Sequence, residues 1–375
     1  MLKLPFADNK PSRTLAVWLG HLKDGIRMPE KTQLYDTRHY SLLKLFAILC
    51  IVVHSIRYGW PPFKILTNDF QVPLLFFASG FVFSFCLYDL HKYQSIGELA
   101  AKKIRRLLLP YAGVLVLWFL PLFCLSGDVR YEGRNPLTIL LTEYPFGVNA
   151  DALWFLMALF TTYIVAFVGR EACRYAKIYA SPKVCAIIFL ALVAVHQAAQ
   201  LFPTQFHLDR SALYGVHFFA GYLLNMGKYA VCARLQGRCV LPWLVLGVAV
   251  IYVLDACCGF LAGDDISGYP KAGLFLLQLL ELVKQFGLIA IFVLCARKLV
   301  RDCPVISQSS LVRYLDSRSF DIYLYHWPVL LILLAWLPIA DPLEKAMVAG
   351  TGCFVSALVV GEVVRSIKQR FGAGR

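Results

Sequence analysis

Charge is scarce in this chain: Asp, Glu, Lys and Arg make up 16% of its 375 residues, while 59% are hydrophobic. A soluble domain has about 25% charged and 45–50% apolar residues. A mean hydropathy of +0.63 over this length is too high for one oversized soluble core, which would split into domains with polar surfaces. Repeats and low-complexity stretches are absent, and the composition excludes a disordered chain, a collagen-like chain and a small disulfide scaffold. Twelve cysteines are present, but there is no CxxC pair and no Cys/His cluster with zinc-like spacing, so no metal is expected. Cys50, Cys86, Cys124, Cys185, Cys295 and Cys353 lie inside apolar runs, where a thiol packs as a small apolar side chain. The first 38 residues hold seven Lys/Arg and no apolar h-region before Tyr40, so no secretory signal is expected. Within them Leu15, Val17, Trp18, Leu19 and Leu22 suit either a short interfacial helix or a disordered tail.

Long apolar runs are plentiful. Stretches of the length that crosses the hydrocarbon recur at 40–58, 70–90, 107–126, 152–169, 184–201, 212–227, 240–258, 272–296, 320–339 and 346–364. They predict an all-α polytopic membrane helix bundle of about ten transmembrane helices. The expected organisation is an N-terminal tail (1–38), a transmembrane domain (39–365) and a C-terminal tail (366–375). A net charge of +14 invites a nucleic-acid reading, but its distribution argues otherwise. With a cytoplasmic N-terminus, the cytoplasmic segments hold 27 Lys/Arg and the opposite ones six: Lys64, Arg130, Arg134, Arg210, Lys271 and Lys345. Such bias predicts that both termini are cytoplasmic. The positive charge sits in short loops beside anionic lipid, so no nucleic-acid partner is expected.

Ionisable side chains inside the bilayer cost several kcal/mol and are functional candidates by default. Lys44 and His54 share the first span, about 15 Å apart at helical rise. Lys44 suits a substrate contact or simple snorkelling to the surface. Glu281 and Lys284 stand three residues apart on the eighth span, as a substrate-binding pair or as mutual neutralisation. His196 is read as a structural or rim residue and Asp321 as solvated near the inner mouth. His54 follows Ile51-Val52-Val53 with no carboxylate within a turn, and a neutral imidazole there has both a donor and an acceptor, as a general base requires.

Five stretches resemble, in order, the acyltransferase 3 family of membrane O-acyltransferases. The first runs from Arg38 through Lys44 to His54-Ser55, with a basic residue and a histidine three turns on. Leu75-Phe76-Phe77-Ala78-Ser79-Gly80-Phe81 is similar to the family's FFxxSGF. The run Lys102-Lys103-Ile104-Arg105-Arg106-Leu107-Leu108-Leu109-Pro110-Tyr111 resembles its basic lead into a proline. Leu153-Trp154-Phe155-Leu156 resembles LWFL, and Ser319 to Pro328, with Tyr323, Tyr325 and His326, resembles SxxIYLxHxP. The family's basic residue and histidine are usually offset by eleven, within about 20° of one face; Lys44 and His54 are offset by ten and diverge by about 80°. Ser41 stands where an aspartate is frequent.

The resemblance implies transfer of an acyl group, most often acetyl, from cytoplasmic acyl-CoA (acetyl-CoA) to a carbohydrate hydroxyl. The acceptor would be a cell-surface or exopolysaccharide sugar or its lipid-linked precursor, and the location a bacterial inner membrane. On it, Arg105 and Arg106 suit the polyanionic donor as guanidinium forks, whereas Lys102 and Lys103 read as plain positive-inside bias. His54 is the base or a transient acyl carrier, and Glu281 is the deep carboxylate available to orient it. Ser79 lines the pocket or serves helix packing beside Gly80. Trp154 suits stacking on adenine or a sugar, or interfacial anchoring, and Tyr325 and His326 suit hydrogen bonds to substrate. The outer segment 127–151, with Asp128, Glu132, Glu143, Asp151, Tyr131, Tyr144 and Phe146, suits a sugar-binding surface or an ordinary loop. Rival readings are a secondary transporter or flippase for a sugar-containing substrate, and a membrane sensor without chemistry.

Overall fold

The computed structural model describes residues 38–55, 70–114, 154–175, 182–199, 208–226, 240–262, 271–303, 305–306, 309–336 and 342–372. Every element among them is helical: α1 (Arg38–Ser55), α2 (Gln71–Tyr88), α3 (Ile96–Lys103), a π-helical turn (Ile104–Leu108), α4 (Leu109–Val114), α5 (Trp154–Tyr175), α6 (Pro182–Ala199), α7 (Leu208–Met226), α8 (Val240–Ala262), α9 (Lys271–Asp302), α10 (Ser310–Trp336) and α11 (Pro342–Gly372). Each predicted span coincides with a helix, the third only as far as Val114. Among the described residues, four helical stretches are long and apolar enough to cross a membrane: Gln71–Tyr88, Trp154–Tyr175, Leu277–Asp302 and Gly350–Ile367. Shorter apolar helices cover His39–Val53, Ile187–Ala198 and Val240–Leu254. Residues 1–37, Arg57, the segment 127–151 and the loop 228–239 lie outside the described residues.

Side-chain contacts fix the helix directions. Phe76 meets Phe155, Phe83 meets Tyr163, Phe76 meets Tyr214 and Tyr88 meets Tyr222, so α2, α5 and α7 run parallel. Tyr40 stacks on Phe81 and Phe46 on Phe70, so α1 is antiparallel to α2. α2, α5 and α7 therefore run one way and α1 the other. α10 and α11 form an antiparallel pair, in which the Cys353 thiol donates to the His326 carbonyl and Tyr314 to Glu362.

Among the described glycines, the tightest approach is between α2 and α7. A Cβ on Gly80 would lie 1.8 Å from the Phe218 carbonyl oxygen, and one on Gly221 would lie 2.0 Å from that of Phe77. Two glycines facing two backbones let these helices touch, the small-residue packing that lipid-embedded helices use. The pair is then tied by Tyr88 to Tyr222 at 2.7 Å and by Asn225 donating to Ser84 at 3.1 Å and to Asp89 at 3.3 Å. Outside, Ile187 and Leu190 on α6, Trp243, Leu246, Val250 and Val253 on α8, and Val355, Val359 and Val363 on α11 are exposed at helical spacing. Such a surface suits lipid and is out of place in water.

Two helices extend beyond the apolar runs, for reasons of local chemistry. α10 starts ten residues before the apolar run at 320, and α11 continues to Gly372, through most of the predicted C-terminal tail. Both extensions are polar helical turns held by ion pairs, Arg318 with Glu362 and Arg365 with Asp321 at 3.3 Å. Between α2 and α3 the chain reverses at His91, whose φ of 47° places it in the left-handed region, and the Lys92 N–H returns to the Cys86 carbonyl at 2.9 Å. Ser95 then caps α3 by accepting from the Glu98 N–H, while Glu98 accepts from the Gln94 N–H at 3.0 Å, a variant of the capping box. The Gln94 N–H and the Lys102 ammonium hold the Glu98 carboxyl below the usual carboxylate range.

Candidate active site

The basic end of the bundle is built on α3 and the turn after it. Pro110 has no N–H for the Arg106 carbonyl and its ring crowds that carbonyl. The backbone widens there into a π turn over Ile104–Leu108, with the Leu109 N–H bonded to the Ile104 carbonyl. Single π turns inside helices recur at functional sites, and this one presents Arg105 and Arg106, both exposed.

Adjacent lysines have opposite fates. Lys102 is exposed and pairs with Glu98 at 2.5 Å. Lys103, one residue and about 100° further round the helix, is 8% exposed and turns into the bundle. Its ammonium lies 3.3 Å from the centroid of the Tyr163 ring, with Phe83 at 5.8 Å and Tyr93 at 5.9 Å. The Tyr163 hydroxyl is hydrogen-bonded with Ser79, so the serine of the second span is joined to Lys103 through one aromatic ring. Among the described residues no carboxylate stands within ion-pair distance of Lys103. Burial, and then the Arg106 guanidinium nearby, draw its amine down to about 7. Positive-inside bias accounts for Lys102 but not for Lys103, which sequence reasoning missed. Aromatic residues at Phe83, Tyr93 and Tyr163 were the available signal, spread over three segments.

Lys44 belongs to this end as well. Its ammonium pairs with Asp316 of α10 at 2.7 Å, so it is held at the mouth by a carboxylate. Asp321 accepts from the Arg365 guanidinium at 3.3 Å, with both side chains partly exposed.

The opposite end holds the C-terminus of α1 and the N-termini of α2, α5 and α7. His54 is the penultimate residue of α1, and the helix is continuous between it and Lys44, which keeps the two about 15 Å apart along the axis. The His54 side chain lies outside the described residues. At the start of α5, Trp154 is stacked on Tyr214 (5.5 Å, 25°) and carries the Arg210 guanidinium 5.3 Å from its ring centroid. Its ring thus contacts two side chains one turn apart on α7. Tyr214 and Arg210 were not among the residues singled out by sequence.

Beside this stack lies a polar cluster, buried at Lys284, His217 and His196 and part-exposed at Glu281. Lys284 is buried and pairs with Glu281 at 2.5 Å; Gln285 donates to the same carboxylate at 3.0 Å, and Tyr252 lies 4.9 Å below the ammonium. Glu281 and Lys284 thus neutralise one another, and Glu281 also acts electrostatically on Tyr214. His217 is fully buried, 4.9 Å from Phe286 and 6.1 Å from His196. His196 is buried too, its Nδ1 2.5 Å from the Leu213 carbonyl, so it is a structural residue and not a wetted rim.

Tyr325 and His326 lie in the core of α10. His326 is fully buried, with Nδ1 donating to the Tyr323 carbonyl at 2.5 Å, and Tyr323 packs edge-on against Phe155. The late motif therefore stands against the same aromatic layer as Phe76, Phe155 and Tyr214.

A membrane helix bundle with a cationic turn at one end and a histidine-bearing helix terminus at the other defines a class of integral membrane protein. The family model described as an acyltransferase domain matches residues 40–363, nearly the whole chain, and the protein belongs to the acyltransferase 3 family. It is a membrane acyltransferase. No curated protein and no solved structure matches it.

Proposed function

We propose that the protein moves an acetyl group from acetyl-CoA, bound at the basic end, to a hydroxyl of a cell-surface or exopolysaccharide sugar or its lipid-linked precursor at the other end. The observation that carries this is Lys103: a buried cation with no carboxylate of its own among the described residues, beside two exposed arginines, at the mouth of a bundle from an acyl-transferring family. A polyphosphorylated donor supplies the missing negative charge. The excess of Lys/Arg in the segments on that side supports placing the basic end and both termini in the cytoplasm, in a bacterial inner membrane.

In this reading Arg105 and Arg106 take donor phosphates as forks, Lys103 takes one as a point charge, and Ser79 and Tyr163 line the way inward. The acceptor hydroxyl attacks the thioester carbonyl carbon while His54 takes its proton. As the carbon–sulfur bond breaks, that proton passes to the departing CoA sulfur. A covalent relay through His54 uses the same residues in two steps. Glu281, with Tyr325 and His326, orders the groups around the reacting atoms. Labelled acetyl from acetyl-CoA should reach surface polysaccharide in membranes containing the protein and not in membranes lacking it. Equal labelling in both would end the proposal.

Lys103 gives the donor site a pH signature. A phosphate beside the amine favours its ammonium form, so CoA binding takes up a proton when the free amine titrates near 7. Affinity should fall as pH rises from 7 to 9, and the binding enthalpy at pH 8 should depend on the buffer's ionisation enthalpy. Lys103→Met should remove both effects. In the unliganded protein the sign is opposite: an amine depressed by burial costs stability below 7, and that cost fades between 7 and the ordinary lysine value of 10.5. Wild-type affinity that does not change over this range would exclude Lys103 from the donor site.

A further inference from the structure

We propose that Arg210, held by Trp154 and Tyr214, is the specificity element of the acceptor site and reads an anionic group, carboxylate or phosphate, on the sugar to be acylated. The inference deepens the acyl-transfer reading and rests on its placing the carbohydrate at the His54 end.

The first observation is how the arginine is held. Arg210 is the third residue of α7 and is exposed, yet its guanidinium lies 5.3 Å from the Trp154 ring centroid. Trp154 is stacked in turn on Tyr214, one turn further along α7, and Tyr214 is hydrogen-bonded with Arg210. A guanidinium held over an aromatic ring keeps the N–H donors that do not meet Tyr214 for an anion, and a planar anion can take two of them in parallel. An arginine serving only as a surface charge needs neither support.

Charge balance is the second observation. Among the described residues no carboxylate pairs with Arg210. The carboxylate whose field reaches this stack, Glu281, already pairs with Lys284 at 2.5 Å and accepts from Gln285 at 3.0 Å. Among the described residues, Arg210 is therefore the cation of this group that has no carboxylate partner.

Position separates Arg210 from the acyl donor's phosphates. Trp154 and Tyr163 are nine residues apart on α5, about 14 Å at helical rise, so Arg210 lies well away from the Lys103 cage. It also stands in the set of segments that holds six basic residues against 27, where positive charge is sparse. The anion that completes Arg210 arrives from the acceptor's side, as part of an acidic sugar or as a lipid headgroup phosphate, and the sugar is the reading advanced here.

The test is binding, read without turnover. Full-length protein in phosphatidylcholine nanodiscs is titrated with a glucuronate-containing oligosaccharide and with the same oligosaccharide after its carboxyls are reduced to alcohols. Binding is followed calorimetrically. The acidic form should bind at least about tenfold more tightly, as one charge-assisted pair provides, and Arg210→Gln should erase the difference. Retained acetyl-CoA binding at the far end shows that the variant is folded. Equal binding of the two sugars, binding of neither, or a preference that survives Arg210→Gln overturns the proposal. If Arg210 instead holds a lipid phosphate, neither sugar binds and Arg210→Gln lowers retention of added phosphatidylglycerol, which also overturns it. Acid-selective binding without any acetyl transfer would leave this inference standing and remove the function proposed above.

Discussion

His54→Ala should lower acetyl transfer to polysaccharide by about 10²–10⁴-fold, the range expected for losing a positioned proton-transfer group, while leaving acetyl-CoA binding intact. The reason lies in the geometry of α1. Lys44 is pinned at the mouth by Asp316, and an unbroken helix carries His54 about 15 Å beyond it. A lysine arm cannot bridge that gap, so in the proposed reaction His54 works at the thioester, apart from the cationic end that takes the donor phosphates. Labelling in the absence of acceptor separates the two routes open to His54. An acyl carrier leaves label on the wild-type protein and none on His54→Ala, whereas a general base leaves none on either. Equal transfer by wild type and variant would keep the acyltransferase and remove His54 from its chemistry.

Gly80→Ala and Gly221→Ala should be the most damaging single substitutions away from the chemistry. Each added Cβ would fall within 2.0 Å of a backbone carbonyl oxygen on the facing helix, and backbone cannot turn aside as a side chain can. The helices must move apart, which breaks the Tyr88–Tyr222 and Asn225–Ser84 bonds beyond the contact. A loss above about 4 kcal/mol is expected, in the tail reserved for overpacking and broken networks. It should appear as loss of the monodisperse peak in detergent gel filtration. Gly97→Ala and Gly247→Ala, where the added methyl meets nothing within 4 Å, should behave as wild type and serve as controls. A monodisperse Gly80→Ala protein with unchanged thermal stability would show that α2 and α7 do not meet as described.

Hydrophobic run length made the helices legible, because crossing hydrocarbon imposes a minimum apolar length on each one. The Glu281–Lys284 pair was legible for a similar reason: two residues three apart must share a helix face. What escaped depends on neighbours distant in sequence. Lys102 and Lys103 are the same amino acid at adjacent positions, and only Phe83, Tyr93 and Tyr163 make one of them a caged cation. Arg210 reads as an ordinary loop charge until Trp154 is brought beneath it. His196 sits near a helix end, yet α7 covers it and supplies the Leu213 carbonyl. The π turn had a visible cause in Pro110, but its place relative to Arg105 and Arg106 follows from how the backbone relieves that proline.

The parallel run of α2, α5 and α7 bears on how the protein is made. Helices that lie side by side in the same direction cannot be joined by a tight turn, and α3 to α6 are synthesised between the two partners of the glycine contact. When α2 enters the membrane its Gly80 has no partner, and α7 emerges from the ribosome only after α3 to α6. The nascent protein must hold an open, small-residue seam in lipid through much of its translation. A translocon-associated chaperone that shields such a seam would find its client in the nascent chain before Gly221 arrives to close it.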